Sequence, residues 1–575
     1  MLSFAATFGL MTFTSVAVAQ TPSSLARASR PEPSNLGSFV QDRGAAIALG
    51  KALFWDMRVG SDAKTACASC HFHAGADPRS KNQLSRGPNG TSFAFGGPNY
   101  QLKAGDFPFH QFSDPNNRDS AVVRSLAAVS SSQGVFRENF SSVVPGQAED
   151  NRQVVYDPVF HVGAVNTRQV EPRNTPSVIN AVFNLRNFWD GRAQTIFNGV
   201  NPWGKRDTGA RVYKNESTWS LFGWKQQVRS VQITLNDSSL ASRRAANGDG
   251  LATASYADMV KTAFRSEWWN GSQTVTVGGR SYNQMEANFS LFFGLALQMY
   301  QATLVSDQTP FDKFAEGQGS ALTPQQLTGW GVFQGKGKCV NCHGGAAFTN
   351  ASIHRRLFTD RLNRMVMGNG GVAVYDEGFY NIGVTPTAQD VGVGGNDPFG
   401  NPLSFAGLAK KSILLFNIYE QALLDDLVTP FTRIAVQGSF KTPGLRNVEL
   451  TAPYFHNGGT ATLTQVVEFY NRGGNFARAN IADLDADIQP LGLTSDEKSA
   501  LVAFLKALTD DRVRKHAAPF DHPQLAVPNG HSGNTSSVAN DGWGRAVDDW
   551  MLLPAIGRNG YAADQIPASF LGLAQ

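Results

Sequence analysis

Two short stretches of the chain set thiols and an imidazole at the same spacing: Cys67-Ala-Ser-Cys70-His71 and Cys339-Val-Asn-Cys342-His343. They contain all four cysteines of the 575 residues. A tetrahedral zinc site would need two C-x-x-C pairs converging on one ion, and it gives no reason for a histidine after each. A redox dithiol would need a strand–helix–strand context, which neither flank shows. In C-x-x-C-H the thiols can bond the two vinyl groups of one haem while the adjacent imidazole meets the iron. Two such motifs point to two haem c groups and leave no cysteine for a disulfide. His73, two residues past His71, lies on the same side of that haem and is assigned a supporting or surface role.

The flanks repeat as well. "AAIALGKALFWD" precedes the first motif and "QLTGWGVFQGKGK" the second, each reading as a short amphipathic helix that leads into the haem-binding turn. "LTSDEKSALVAFLKALTDD" reads as a closing helix, with Thr494 and Glu497 as a capping box and Leu501, Phe504, Leu505 and Leu508 on its apolar face. The expected fold is therefore all-α: two cytochrome c-like domains, each around one covalently bound haem, with long irregular insertions. A few strands are allowed in Gly- and Thr-rich parts such as "SQTVTVGGRSY". The expected organisation is a signal peptide over 1–19, a flexible leader over 20–43, an N-terminal cytochrome c domain over 44–310, a C-terminal one over 311–515, and an extension over 516–575.

The apolar start ends in Ala17-Val18-Ala19, a small-residue cleavage site, although the first positive side chain is only Arg27. Export to the periplasm follows, and no later apolar run is long enough to span a bilayer once the signal is removed. Charged residues are 17% of the chain and the net charge is +4, without long basic runs, which argues against a nucleic-acid partner.

Beyond the haem motifs, "LGKALFWDMRVG…CASCH", "RNTPSVINAVFNLRNFWDGRA", "FKTPGLRNVELTAPYFHNGGTATLTQVVEFYNRGG" and "LTSDEKSALVAFLKALT" resemble the bacterial dihaem cytochrome c peroxidase family, including its MauG-type enzymes. The resemblance covers roughly residues 44–75, 168–204, 285–350 and 430–512. It implies a peroxidase-type oxidoreductase in which the N-terminal haem, with His71 as proximal ligand, takes hydrogen peroxide. The C-terminal haem, with His343, relays electrons from a small redox protein or an organic donor. Trp189 of "FWDGRA" matches the tryptophan between the haems; Asn174, Thr451 and Pro453 match an interhaem calcium site. Tyr470, fourteen residues beyond His456 of "APYFH", falls where the relay haem takes its sixth ligand. Tyrosine there marks the MauG-type branch, whereas respiratory peroxidases have methionine. Read without the family, Trp189 is a core aromatic, Asn174 and Thr451 are turn residues, and Tyr470 packs one face of a helix.

Two features depart from the family pattern. The family places a catalytic glutamate after "FWDGRA", often within N-P-x-E-M. Here "FNGVNPWGKRDTGA" follows, and no glutamate lies between Glu171 and Glu216. Asp207 is the nearest carboxyl, with Lys205 and Arg206 as alternatives that could polarise an oxygen. This loss favours a rival in which dioxygen is activated on an organic substrate; a non-catalytic dihaem electron carrier is the other rival. The second departure is a long insertion between His71 and Asn174, where His110 and His161 are candidates for capping the resting N-terminal haem. A further insertion over 205–283 adds Trp219, Trp224, Trp268 and Trp269, read as buried core rather than surface redox relays.

Overall fold

The computed structural model describes residues 21–144, 147–214, 228–229, 255–272, 274–277, 279–356, 361–411 and 428–575. The expected signal peptide and Trp219 and Trp224 lie outside the described residues.

Two helix pairs frame the molecule. Arg43–Trp55 starts where the Asp42 carboxylate accepts the Ala45 N–H at 2.9 Å, and it crosses Phe289–Gln301. The crossing is close because Gly50 has no side chain: a Cβ there would lie 1.9 Å from the Ala296 carbonyl oxygen. Pro324–Gln334 and Ser495–Lys506 repeat the arrangement, each opened by a capping box, Thr323/Gln326 and Thr494/Glu497. There a Cβ on Gly329 would meet the Ala500 carbonyl oxygen at 1.9 Å. The apolar face expected for the closing helix is buried at Leu501, Phe504 and Leu505, and Leu508 follows it into the same core.

Between the two helices of each pair the chain forms the same turn. Asn180 and Asn447 sit in the left-handed region (φ 62° and 61°) and open the 3₁₀ turns Ala181–Phe183 and Val448–Leu450. The Asn180 N–H donates to Leu304 O and the Asn447 N–H to Leu508 O, both at 2.9 Å. Their side-chain oxygens accept from Ser306 N and Asp510 N. The repeat is therefore built twice at the level of single hydrogen bonds.

The all-α expectation is corrected. Helix makes up 26% and strand 18%, the strand being spread over small two-stranded antiparallel ribbons. The reason lies in the insertions. The ribbons there are built from strands of two to seven residues separated by turns, stretches too short for stable helices. Leu362–Val366 and Val372–Asp376, for example, pair across "MGNGG" with Gly370 at φ 79°. Leu525–His531 pairs with Asp548–Leu553 and binds the first helix-pair unit: Arg168 donates twice to Asp548 at 2.8 Å, and Leu525 and Val527 enter its core.

Buried ion pairs knit the halves together. Arg173 holds Asp390, Arg186 holds Asp376 and Arg206 holds Asp397, at 2.6, 2.7 and 2.6 Å. Desolvation offsets most of the attraction in such pairs, so their main effect is on register, and removing one partner is costly. Among the described residues no helix is long and apolar enough to cross a membrane.

Candidate haem-binding sites

The first motif forms one helical turn, Ala68–His71, pinned by the Ala66 N–H donating to Ser69 Oγ at 2.9 Å. His71 Nδ1 lies 2.8 Å from the Gly75 carbonyl oxygen. A carbonyl only accepts, so Nδ1 carries the proton and Nε2 is left with its lone pair for a metal. Burial lowers the imidazole's pKa, which keeps the ring neutral as iron ligation requires. In the second motif the tight turn Cys339–Asn341 leads to His343, whose Nδ1 lies 3.2 Å from Phe348 O. Burial lowers His343 to about 4. Pro176 and Pro443, each in a Thr-Pro pair of the repeat, offer a second backbone carbonyl to the respective imidazole.

No disulfide joins any of the four thiols, and burial pushes Cys67 and Cys339 up to about 12. Cys67 packs on one core and Cys339 on the other, so the pairs do not converge on one ion. Among the described residues no group of three or more His, Cys, Asp or Glu side chains could hold a metal. Buried neutral thiols in separate apolar cores suit thioether bonds and not a four-thiolate zinc site.

Beside the second motif is a largely apolar cavity bordered by Cys339, Cys342, His343, Trp189, His456 and Tyr470. Tyr470 rides on Leu463–Asn471, a helix capped by Thr462, and burial followed by the nearby thiols raises its phenol well above the usual value. The structure therefore brings Tyr470 and His343 to one cavity. His456 stacks on Phe440 at 3.6 Å, and its ring centroid is 6.4 Å from that of Trp189.

Trp189 is tied to both halves: Nε1 donates to Asn174 O, and its carbonyl accepts from Lys441 N, each at 2.7 Å. Asn174, Thr451 and Pro453 border one further cavity beside it. The Asn174 amide reaches Pro453 O at 2.6 Å and Phe455 O at 3.1 Å.

Other candidates lie elsewhere. Asp207 accepts from Asn201 Nδ2 at 2.6 Å and Gly209 N at 2.8 Å, closing a local turn. Arg206 is buried on Asp397, and neither it nor Lys205 or Asp207 borders the cavity at His71. His110 packs on Phe476, 4.5 Å between centroids, and His161 bonds Gly163 O; neither meets the His71 cavity. Trp268 is core, stacked on Phe39 at 4.7 Å.

Sequence reading missed His516, which does border the His71 cavity. Its Nδ1 lies 2.9 Å from His522 Nε2, and its ring is 5.6 Å from that of His73. The signal was there as two histidines spaced by six in "KHAAPFDH", but nothing in the sequence of the extension over 516–575 names a partner for them.

Fold and sites define a chain with two repeated units, each carrying one C-x-x-C-H motif as a candidate haem c site. Residues 44–320 match the family model described as di-haem cytochrome c peroxidase. It is 36% identical over 212 residues to cytochrome-c peroxidase IdrP2 of Denitromonas iodatirespirans, a match covering 37% of this chain. The chain spans about half of that relative's length, 47%. It is 25% identical over 354 residues to methylamine utilization protein MauG of Methylorubrum extorquens, covering 62% of this chain and 68% of that one. Among solved structures it matches the diheme peroxidase BthA of Burkholderia thailandensis, at 16% identity and TM-score 0.40, over 86% of this chain and 91% of that one. The family implies haem c as cofactor.

Proposed function

We propose that the chain is a dihaem c-type oxidoreductase that activates hydrogen peroxide at the unit of Cys67, Cys70 and His71. Electrons come through the unit of Cys339, Cys342, His343 and Tyr470. Haem c, when bound, supplies one-electron chemistry and an iron able to take peroxide or dioxygen. The chain's own residues do the rest. The carbonyls of Gly75 and Phe348 hold each imidazole in the tautomer that presents Nε2. Tyr470 offers a hard oxygen to the second site, which favours the ferric and higher states. The carrying observation is Trp189, hydrogen-bonded into both units and bordering the second cavity, a short route between them.

Asn174, Thr451 and Pro453 are the proposed calcium site. A half-turn of the Asn174 amide would put Oδ1 beside the carbonyls of Pro453 and Phe455, an all-oxygen cluster of the kind calcium takes. Export to the periplasm and a small redox protein or organic donor complete the reading.

A second reading, activation of dioxygen on an organic substrate, is favoured by one observation: Asp207 is spent on a local turn, and the His71 cavity has no carboxylate among its lining residues.

The test is stopped-flow spectroscopy of the holoprotein in diferric and diferrous forms. The peroxidase reading expects a fast peroxide-dependent Soret change and one high-spin ferric haem, lost in His71→Ala. Oxygen uptake with an inert peroxide response would support the second reading. Two low-spin haems that ignore peroxide, dioxygen and cyanide in every redox state would sink both and leave an electron carrier.

A further inference from the structure

The ribbon that follows the second haem motif buries two phenols on one carboxylate. Tyr380 Oη donates to Glu377 Oε1 at 3.0 Å and Tyr375 Oη to Oε2 at 2.9 Å. The two rings lie 5.6 Å apart. All three residues are nearly solvent-free, at 6%, 4% and 4% exposure for Tyr380, Tyr375 and Glu377. Tyr380 borders the cavity of Cys339, Cys342 and His343. A short bonded path also joins it to the haem anchor: Asn350 N donates to Cys342 O at 2.9 Å, and Asn350 Nδ2 donates to Tyr380 Oη at 3.1 Å.

A buried carboxylate takes several donors, and the two phenols with Asn363 Nδ2 at 3.4 Å supply them. Satisfying that carboxylate does not require one of the phenols to border the cavity as well, and Tyr380 does. A tyrosine gives up an electron readily only if its proton leaves at the same time, because the protonated radical cation is far too acidic to persist. A hydrogen-bonded carboxylate is the acceptor such a step needs.

The geometry points to Tyr380 and Tyr375 as a redox-active pair that takes one oxidising equivalent from the second haem unit, with Glu377 receiving the phenolic proton. This rests on the reading of Cys339, Cys342, His343 and Tyr470 as a haem site. The step balances: the O–H bond of Tyr380 breaks, its electron reduces an oxidised haem centre by one, and its proton forms the acid of Glu377. Tyr380 is left as a neutral radical. The oxidant is a haem oxidised by peroxide or by a one-electron acceptor. Passage of the hole to Tyr375 follows return of the first proton to Tyr380 and donation from Tyr375 to the same carboxylate. One carboxylate serves both phenols, so the pair holds one equivalent at a time. Its burial keeps solvent reductants away. Burial raises both phenol pKa values first and Glu377 adds to it, so neither ring ionises ahead of the electron.

The experiment is flash-quench oxidation of the holoprotein with a ruthenium sensitiser, followed by freeze-quench EPR, with peroxide addition as a parallel arm. The expected result is a tyrosyl signal that narrows when tyrosine is supplied ring-deuterated. That signal should be lost in the Tyr375→Phe/Tyr380→Phe double variant and become shorter-lived in Glu377→Gln. The deuterated wild type needs no substitution to fold. A wild type whose haem is oxidised but which gives no tyrosyl signal overturns the inference alone. So does a signal unchanged in the double variant. A holoprotein with no haem at Cys339 and Cys342 overturns it together with the haem reading, and haem counting by alkaline pyridine spectra separates that case.

Discussion

In the first unit Gly50 admits Ala296 and Tyr300 of the crossing helix, and in the second Gly329 admits Ala500 and Phe504 in the same geometry. The frames match, but what fills the space behind each motif does not. Around His343 the filling is aromatic hydrocarbon: Phe348 packs on Phe311 and Phe333, and Phe504 closes on Trp330. Around His71 it is hydrogen-bonded. Trp55 Nε1 donates to Tyr300 Oη at 2.9 Å, His522 stacks on Trp55 at 4.6 Å, and His516 enters from the far end of the chain. Position 446 differs likewise: Arg446 is paired to buried Asp312, where the repeat has Ile179 in the first unit. A duplicated frame thus sets where two haems can sit, and the residues packed behind each histidine set how the two differ.

The largest expected break in that comparison is functional. His71→Ala should abolish peroxide reactivity outright, whereas His343→Ala should leave peroxide binding and remove re-reduction; rapid-mixing spectra separate the two. Equal loss in both would mean that the units are not divided by task.

Next is Asp312→Ala, which strands Arg446 in the core and should cost about 3–5 kcal/mol, read by chemical denaturation. The same pair gives a pH signature. Burial alone would raise the Asp312 carboxyl, but the charge and hydrogen bonds of Arg446 outweigh it and hold it below the usual carboxylate range. Its stabilisation is therefore complete above the unfolded value of about 3.9 and is lost as the pH falls through the folded one.

Gly50→Ala and Gly329→Ala should each cost about 1–3 kcal/mol or more, because the added methyl meets backbone and not a movable side chain. Unequal costs would show that the two crossings are not equivalent.

Tyr470→Met should raise the potential of the second haem by part of the roughly 0.8 V that axial ligands span, and leave the first unchanged. An unmoved potential and spectrum would remove Tyr470 from the ligand set.

The smallest effect is expected of His516→Phe. Burial, then His73 and His522, keep the His516 pKa far below its ordinary value. The unfolded chain therefore takes the proton first, and stability declines as the pH drops below about 6.5. The substitution should flatten that acid branch in thermal melts and leave peroxide reactivity unchanged.

Much of the site was legible because its chemistry is local in sequence. C-x-x-C-H fits one haem within five residues and a capping box marks a helix start at Thr494, whereas Tyr470 is singled out only by the family resemblance. What failed to read were partners distant in the chain. His516 lies in the C-terminal extension, and only packing puts it at the His71 cavity. Asp207, near Trp189 in sequence, has its carboxylate taken by a local turn, from Asn201 six residues before it and Gly209 two after. One ribbon was legible, Val275–Val277 with Arg280–Tyr282 inside "SQTVTVGGRSY"; the others, of strands two to seven residues long, are too short to outweigh the helical signal of the repeats.

The amino-acid sequence by itself determined that two haem motifs exist, that a helix leads into each, and which family the chain resembles. These depend on spacing and on backbone hydrogen bonds within a few residues. Only the tertiary structure decided that Trp189 bonds to both units and that the segment of His516 and His522 packs behind His71. Those are choices among many possible distant partners, and burial makes them, because a polar group taken from water must find its hydrogen bond inside.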